Sequence, residues 1–350
     1  MAVILGFAND DPRLLGTAGD DTIFGDTAGT LSGIGGNDRI FGLAGDDVIT
    51  GDAVTIAPGG RGGDDVIQGG DGWDEIYGDA SASLYGIGGN DTIYQNAGLR
   101  PIIGDASNLE AGSRGGNDRL FGGNTLVGDC EFEMRFAQGG DDLLDSTGAS
   151  EPAELVGETR GRMRGGAGGD DILKSGAFGD NLYGDAGGTM EDGSRGGDDR
   201  LFGNGGDDNV AGDASTLIEA SSGGDDILRG GAGNDRLRGD ATLITDTSRG
   251  GNDRLDGGSG NDELWGDGTL LDASTGGTDR FVFAGAFGDD TIRDFRQADG
   301  DRLVFRGLGQ SELQLTVVGS DMVLTTLGGD SVTLVGFTGS LAVGSDIVFA

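Results

Sequence analysis

The sequence predicts an all-β fold: a parallel β-solenoid, β-roll-like and three-sided, with about 27 residues per coil and a C-terminal β cap. Three observations predict it. Gly supplies 77 of the 350 residues, against only four Pro. A short phrase (a glycine-rich loop, an Asp, any residue, an aliphatic residue) returns along the chain, with a second copy about nine residues later. Aliphatic residues fall in three rows that share one period. So much Gly with a net charge of −38 would by itself point to disorder. The regular spacing of the apolar residues argues for a packed repeat instead.

Row one is Ile40, Ile67, Ile93, Leu120, Leu144, Leu173, Leu201, Leu228 and Leu255. Row two is Ile23, Ile49, Ile76, Ile102, Leu126, Leu155, Leu182, Val210, Leu237 and Leu264. Row three is Leu31, Ile56, Leu84, Leu109, Met134, Met163, Met190, Leu217, Ile244 and Leu271. Each coil thus carries three very short strands separated by turns, where glycines supply positive φ and close backbone approach. One coil cannot bury its aliphatic side chains, whereas coils stacked ~4.8 Å apart bury them as ladders. A two-sided roll of about 18 residues per coil is the alternative. It would place unlike units over one another, so like-on-like stacking favours the three-sided coil. The predicted divisions are an N-terminal cap over 1–16, the solenoid over 17–283 and the C-terminal cap over 284–350.

Sixty-one acidic residues face 23 basic ones, and Lys174 is the single Lys. Such a polyanion is a poor partner for nucleic acid or anionic membranes and a natural one for hard cations. No run approaches the ~18 apolar residues of a membrane span, so no membrane insertion is expected. With no His and one Cys, Cys130, His-based zinc sites, Ser-His and Cys-His pairs and disulfides are excluded. The start, Met-Ala-Val-Ile-Leu-Gly-Phe, has neither a basic n-region nor a long apolar stretch, so a cleavable leader is not expected.

The clearest copies of the phrase are Gly-Gly-Ala-Gly-Asn-Asp-Arg-Leu-Arg from Gly230 and Gly-Gly-Ser-Gly-Asn-Asp-Glu-Leu-Trp from Gly257. Calcium takes six to eight oxygens, from carboxylates and backbone carbonyls alike. A tight glycine loop turns carbonyls inward, and the Asp two places before the aliphatic residue adds a charged ligand. Stacking brings these carboxylates within one strand spacing; the row repels itself unless cations lie between its rungs.

Over about Gly16 to Phe283 the chain closely resembles the RTX calcium-binding repeat family. The resemblance implies several bound Ca2+ ions, with the sixth-position Asp as side-chain ligand. Those positions are Asp21, Asp38, Asp47, Asp65, Asp74, Asp91, Asp118, Asp142, Asp171, Asp180, Asp199, Asp208, Asp226, Asp235, Asp253 and Asp262. Gly231, Gly233, Gly258 and Gly260 of the two complete nonapeptides join them. Many first loops depart from the pattern and read Ser-Arg-Gly-Gly-Asn-Asp, as at Ser113 and Ser248. Between Leu120 and Glu158 the second loop loses its Asp: Asn124 and Ala153 stand there, as Arg100 does one coil earlier.

A further acidic ladder follows row two: Asp26, Asp52, Asp79, Asp105, Asp129, Glu158, Asp185, Asp213, Asp240 and Asp267. Gly-Asp-Ala is a good turn by itself, so the expectation is an Asx-turn in which each Asp caps its own backbone. A line of cation sites is the alternative.

After Gly276 the pattern changes to aromatic-rich strands, among them Phe281 to Phe283, Leu313 to Val318, Met322 to Thr326 and Val332 to Phe337. This segment resembles the region that follows such repeats in secreted serralysin-type metalloproteases. Its ending, Ser-Asp-Ile-Val-Phe-Ala, resembles a type I secretion signal. The resemblance implies one-step export by type I secretion machinery to the outside of the cell, with folding there on calcium. Only about sixteen residues precede the repeats, so no upstream catalytic domain is expected. The function expected is a secreted, non-enzymatic calcium-binding protein of a matrix, surface layer or filament, with self-association as a partner interaction. The alternative is a module that binds or modifies extracellular polysaccharide. Trp73, Trp265, Tyr77, Tyr85, Tyr94 and Tyr183 are its candidate stacking residues, although strand filling accounts for them equally.

Overall fold

The computed structural model describes residues 2–7, 10–96 and 100–350; Met1, Ala8 and Asn9 of the predicted N-terminal cap lie outside them. Three sheets run along the stack of coils, with 15, 13 and 10 strands. Two pair wholly in parallel, and the largest does so except at its C-terminal end. The three-sided coil therefore holds over the two-sided roll.

Each row of the sequence is one ladder. In the 13-strand sheet Leu14 pairs Ile40, Ile40 pairs Ile67, and the series runs on through Leu255, Phe281 and Leu303 to Ile347. In the 15-strand sheet Ile4 pairs Ile23 and the row continues to Ile292 and Leu334. In the 10-strand sheet Leu31 pairs Ile56, and the row ends with Leu270 on Ile244. Leu271, placed in that row by its spacing, is instead half-exposed at 49%. The reason is length: Leu270 lies three positions after Asp267, whereas Ile244 lies four after Asp240. Coils with a longer segment absorb the extra residue in a bulge, as between Ala80 and Ser83 or Thr27 and Thr30. That local slack keeps the rows in register although the repeat length varies.

The interior is divided. Rows one and two pack together as one apolar column. Row three packs separately with Ala53, Ala80, Ala106, Ala186, Ala214 and Ala241 as a second. Buried carboxylates occupy the ground between them, as described below. The rows extend past residue 283. Asp289–Ile292 and Arg302–Arg306 add parallel strands, and Ile347–Phe349 pairs beside Arg302–Arg306. Leu313–Val318, Asp321–Thr326 and Ser331–Leu334 form an antiparallel meander on the end of the largest sheet. Phe283 stacks on Phe305 at 5.1 Å and lies 5.2 Å from Phe287, and Phe281 and Phe295 join them. The aromatic enrichment of this segment thus fills the open end of the apolar column, where no further coil would cover it.

Candidate metal centre

All sixteen predicted Asp ligands are buried. The alternation of the strand dictates this: Asp and the row residue two places on share a face, so both point inward. Each carboxylate also performs a backbone task. Asp38 Oδ1 accepts the Asp11 N–H at 2.6 Å, Asp65 Oδ1 accepts that of Asp38 at 2.7 Å, and the series continues to Asp279 accepting from Asp253 at 3.0 Å. The second series does the same, for example Asp208 to Asp235 to Asp262, at 2.8 Å per step. Where Ala153 replaces the Asp, its N–H still donates to Asp180 Oδ1 at 2.6 Å. One oxygen per carboxylate therefore ties each coil to the one before it.

The other oxygen is left over. Asp21, Asp74 and Asp180 satisfy it with Thr17 N–H, the Gln95 amide and Gly176 N–H. The remaining thirteen predicted ligands, with Asp279, keep a buried Oδ2 that has no hydrogen-bond partner. In the complete nonapeptides that oxygen turns back over the first glycine of its own loop: Asp47 on Gly42, Asp208 on Gly203, Asp235 on Gly230, Asp262 on Gly257. A Cβ at any of these glycines would occupy the place of the oxygen. Gly231, Gly233, Gly258 and Gly260 have φ of +110°, +144°, +101° and +137°, and each stacks against a carbonyl oxygen one coil below. The phrase Gly-Gly-x-Gly-x-Asp is thereby accounted for position by position.

Such an arrangement is electrostatically incomplete. An ionised carboxylate offers acceptors only, and a buried acceptor without a donor is destabilising. Like charges one strand spacing apart repel by about 3 kcal/mol at an effective dielectric near 20. Burial accordingly holds Asp38, Asp208 and Asp235 at about 7 and Asp118 at about 8, and pushes Asp65, Asp142, Asp199 and Asp226 well above the ordinary range. A divalent cation relieves both conditions at once, and oxygen-only donors are what calcium takes. Among the described residues no three carboxylates converge on one point, so the shell must draw on loop carbonyls as well.

The Gly-Asp ladder departs from the Asx-turn expectation. Asp52 does not cap its own turn; its carboxylate accepts the N–H of Gly63, eleven residues on, at 3.0 Å. Asp79 holds Gly89, Asp105 holds Gly116 and Asp213 holds Gly224 in the same way. The ladder thus crosses the coil and clips together the two ends of each row-three segment. Local sequence carries no sign of it, because donor and acceptor lie about ten residues apart. The seryl substitutions in the first loops are also explained: Ser113, Ser194 and Ser221 hydroxyls donate to the carbonyl three residues back at 2.7 Å. Those loops close by this hydrogen bond together with a positive φ at the residue before each Ser, Gly112, Gly193 and Ala220.

The complete second loops are marked by longer strands. Arg39–Ala44, Val66–Asp71, Arg200–Gly205, Ile227–Ala232 and Arg254–Ser259 have six residues each. Thr92–Tyr94, Arg119–Phe121, Leu143–Asp145 and Ile172–Lys174 have three. The complete second loops therefore form two blocks, separated by middle coils whose predicted ligands with an unpartnered oxygen are the first-loop Asp residues alone. The candidate stacking aromatics do not form one platform. Tyr77 is buried with its hydroxyl on Glu75, Arg238 covers Trp265, and Tyr94 stacks on Phe121 at 5.1 Å.

Comparison with known proteins follows the same division. Residues 13–27, 30–53, 60–82, 195–215, 221–241 and 248–268 match the RTX calcium-binding nonapeptide repeat, a family described in four-copy units. The unmatched stretch covers the middle coils. No curated protein matches the chain. Among solved structures, the extracellular lipase LipA from Serratia marcescens aligns at 18% identity and a TM-score of 0.26, over 97% of this chain. The chain spans 40% of that lipase's length.

Proposed function

We propose, from the premise that the chain carries RTX calcium-binding nonapeptide repeats, that it is a secreted, non-enzymatic structural protein that folds on binding several calcium ions outside the cell. The observation that carries this reading is the set of thirteen buried, unpartnered Asp oxygens, nine in the first-loop series and four in the second, in register along the stack. The same carboxylate recurs at the same place in successive coils, as befits a structural ligand rather than a single catalytic acid. Export by type I secretion machinery with the C-terminus leading fits a chain whose carboxylates repel one another while calcium is scarce.

Assembly into filaments is the structural role best supported. Ala2–Leu5 and Leu313–Val318 are the two edges of the 15-strand sheet. Val3 and Leu5 are exposed at one end, and Leu315, Val317 and Val318 at the other. Uncovered edges of this kind pair with further chains. An extracellular polysaccharide-binding module is the second reading, resting on the exposed Tyr94–Phe121 stack. Electron micrographs of the purified protein separate the two. Fibres in millimolar calcium that disperse with chelator are the expected result, and monodisperse rods under both conditions would reject filament formation.

A further inference from the structure

We propose that the Gly-Asp ladder forms a second line of divalent-cation sites, enclosed within the solenoid against the inner side of the first-loop glycines and distinct from the sites of the sixth-position Asp residues. Asp185, Asp213 and Asp240 show its geometry. All three are fully buried. Their Oδ1 atoms accept the N–H groups of Gly197, Gly224 and Gly251 at 3.1, 2.8 and 2.5 Å, and their Oδ2 atoms have no hydrogen-bond partner. A Cβ on Gly223 would overlap both Asp213 Oδ2 and Asp240 Oδ1, and one on Gly196 both Asp185 Oδ2 and Asp213 Oδ1. Carboxylate oxygens of successive coils therefore converge on the same glycine. Two ionised carboxylates supply no hydrogen to share, so oxygens brought together in this way take up either a proton or a cation between them, and a divalent cation neutralises both charges at once.

The donors are oxygens alone, with no His or Cys nearby, which selects a hard divalent ion such as calcium. Two carboxylates supply the charge, and backbone carbonyls of the stacked glycines complete the shell. The ladder is also continuous where the second loops are not. Asp105, Asp129 and Glu158 remain buried in the middle coils, and Asp129 Oδ2 and Glu158 Oε2 are likewise unpartnered. Calcium in the ladder thus holds together the coils that have lost the complete nonapeptide.

The test is a count of bound calcium by equilibrium dialysis on the full chain. Asp213→Asn retains an oxygen for Gly224 N–H and removes the charge; one or two fewer ions per chain are expected. Asp129→Asn, in a coil without a complete second loop, serves as an independent variant with the same expectation. An unchanged count in a folded variant, as a proton shared between the carboxyl groups would give, overturns the proposal. The proposal shares its ion with the loop reading but fails separately. Calcium-driven folding with unchanged counts removes the ladder sites alone, whereas a chain that folds fully without calcium at pH 7.5 removes the loop reading.

Discussion

In calcium-free buffer the folded chain is expected to lose stability steadily as the pH rises from about 4 to about 8. The sign follows from burial. Asp118 and Asp290 are held at about 8 and Asp279 at about 9, each chiefly by removal from water. Unfolded, the same groups titrate near 3.9. Between those values the folded state binds more protons than the unfolded one, so its stability falls with increasing pH. Each such excess proton steepens the fall by about 1.4 kcal/mol per pH unit. Below about pH 4 both states are protonated and the stabilisation is fully present. Calcium replaces those protons, so in millimolar calcium the decline should vanish or reverse. Thermal melts of exhaustively dialysed protein at about pH 4.5 and pH 6, where protons still hold the fold, check this. A melting temperature that rises with pH in the absence of calcium would contradict the assignment of these groups as buried and unpaired.

Replacing Gly224 by Ala should destabilise the protein by about 3 kcal/mol, the upper end of overpacking. Gly224 belongs to a column with Gly169, Gly197 and Gly251, and a Cβ on it would strike the carbonyl of Gly197 and the backbone of Asp198. All three atoms it meets are backbone atoms of the preceding coil, so no flexible side chain can yield. The same glycine donates to Asp213, so displacement there also opens the clip that closes the row-three segment. Gly148 provides the contrast, since a Cβ there meets nothing within 4 Å. Gly148→Ala should change stability by no more than about 0.5 kcal/mol, as at other open surface positions. Denaturant midpoints at fixed calcium compare the two, and equal shifts would show that the column is not close-packed.

Much of the coil is legible in the sequence because its information is local and periodic. The three rows of Ile, Leu and Met name the ladders directly, and the Asp two places before each row residue must share its inward face. Features that depend on residues far apart in the chain are not legible. The partner of Asp52 is Gly63, so the ladder reads as a turn until the coil is closed. The division of the interior into two apolar columns follows from that clip and is equally hidden. Leu271 was misplaced by one residue because the spacing of a row does not reveal a shortened final segment. The aromatic cluster around Phe283 and Phe305 signals a change in the sequence, but its role as an end filler needs the stack to be seen.

The most direct measurement is the far-ultraviolet circular dichroism of the chelated protein at pH 7.5 while calcium is restored. Stacked carboxylates joined by divalent ions predict a disordered spectrum without calcium and a cooperative change to β-structure as it is added. A β-sheet spectrum that is the same before and after calcium would contradict the account.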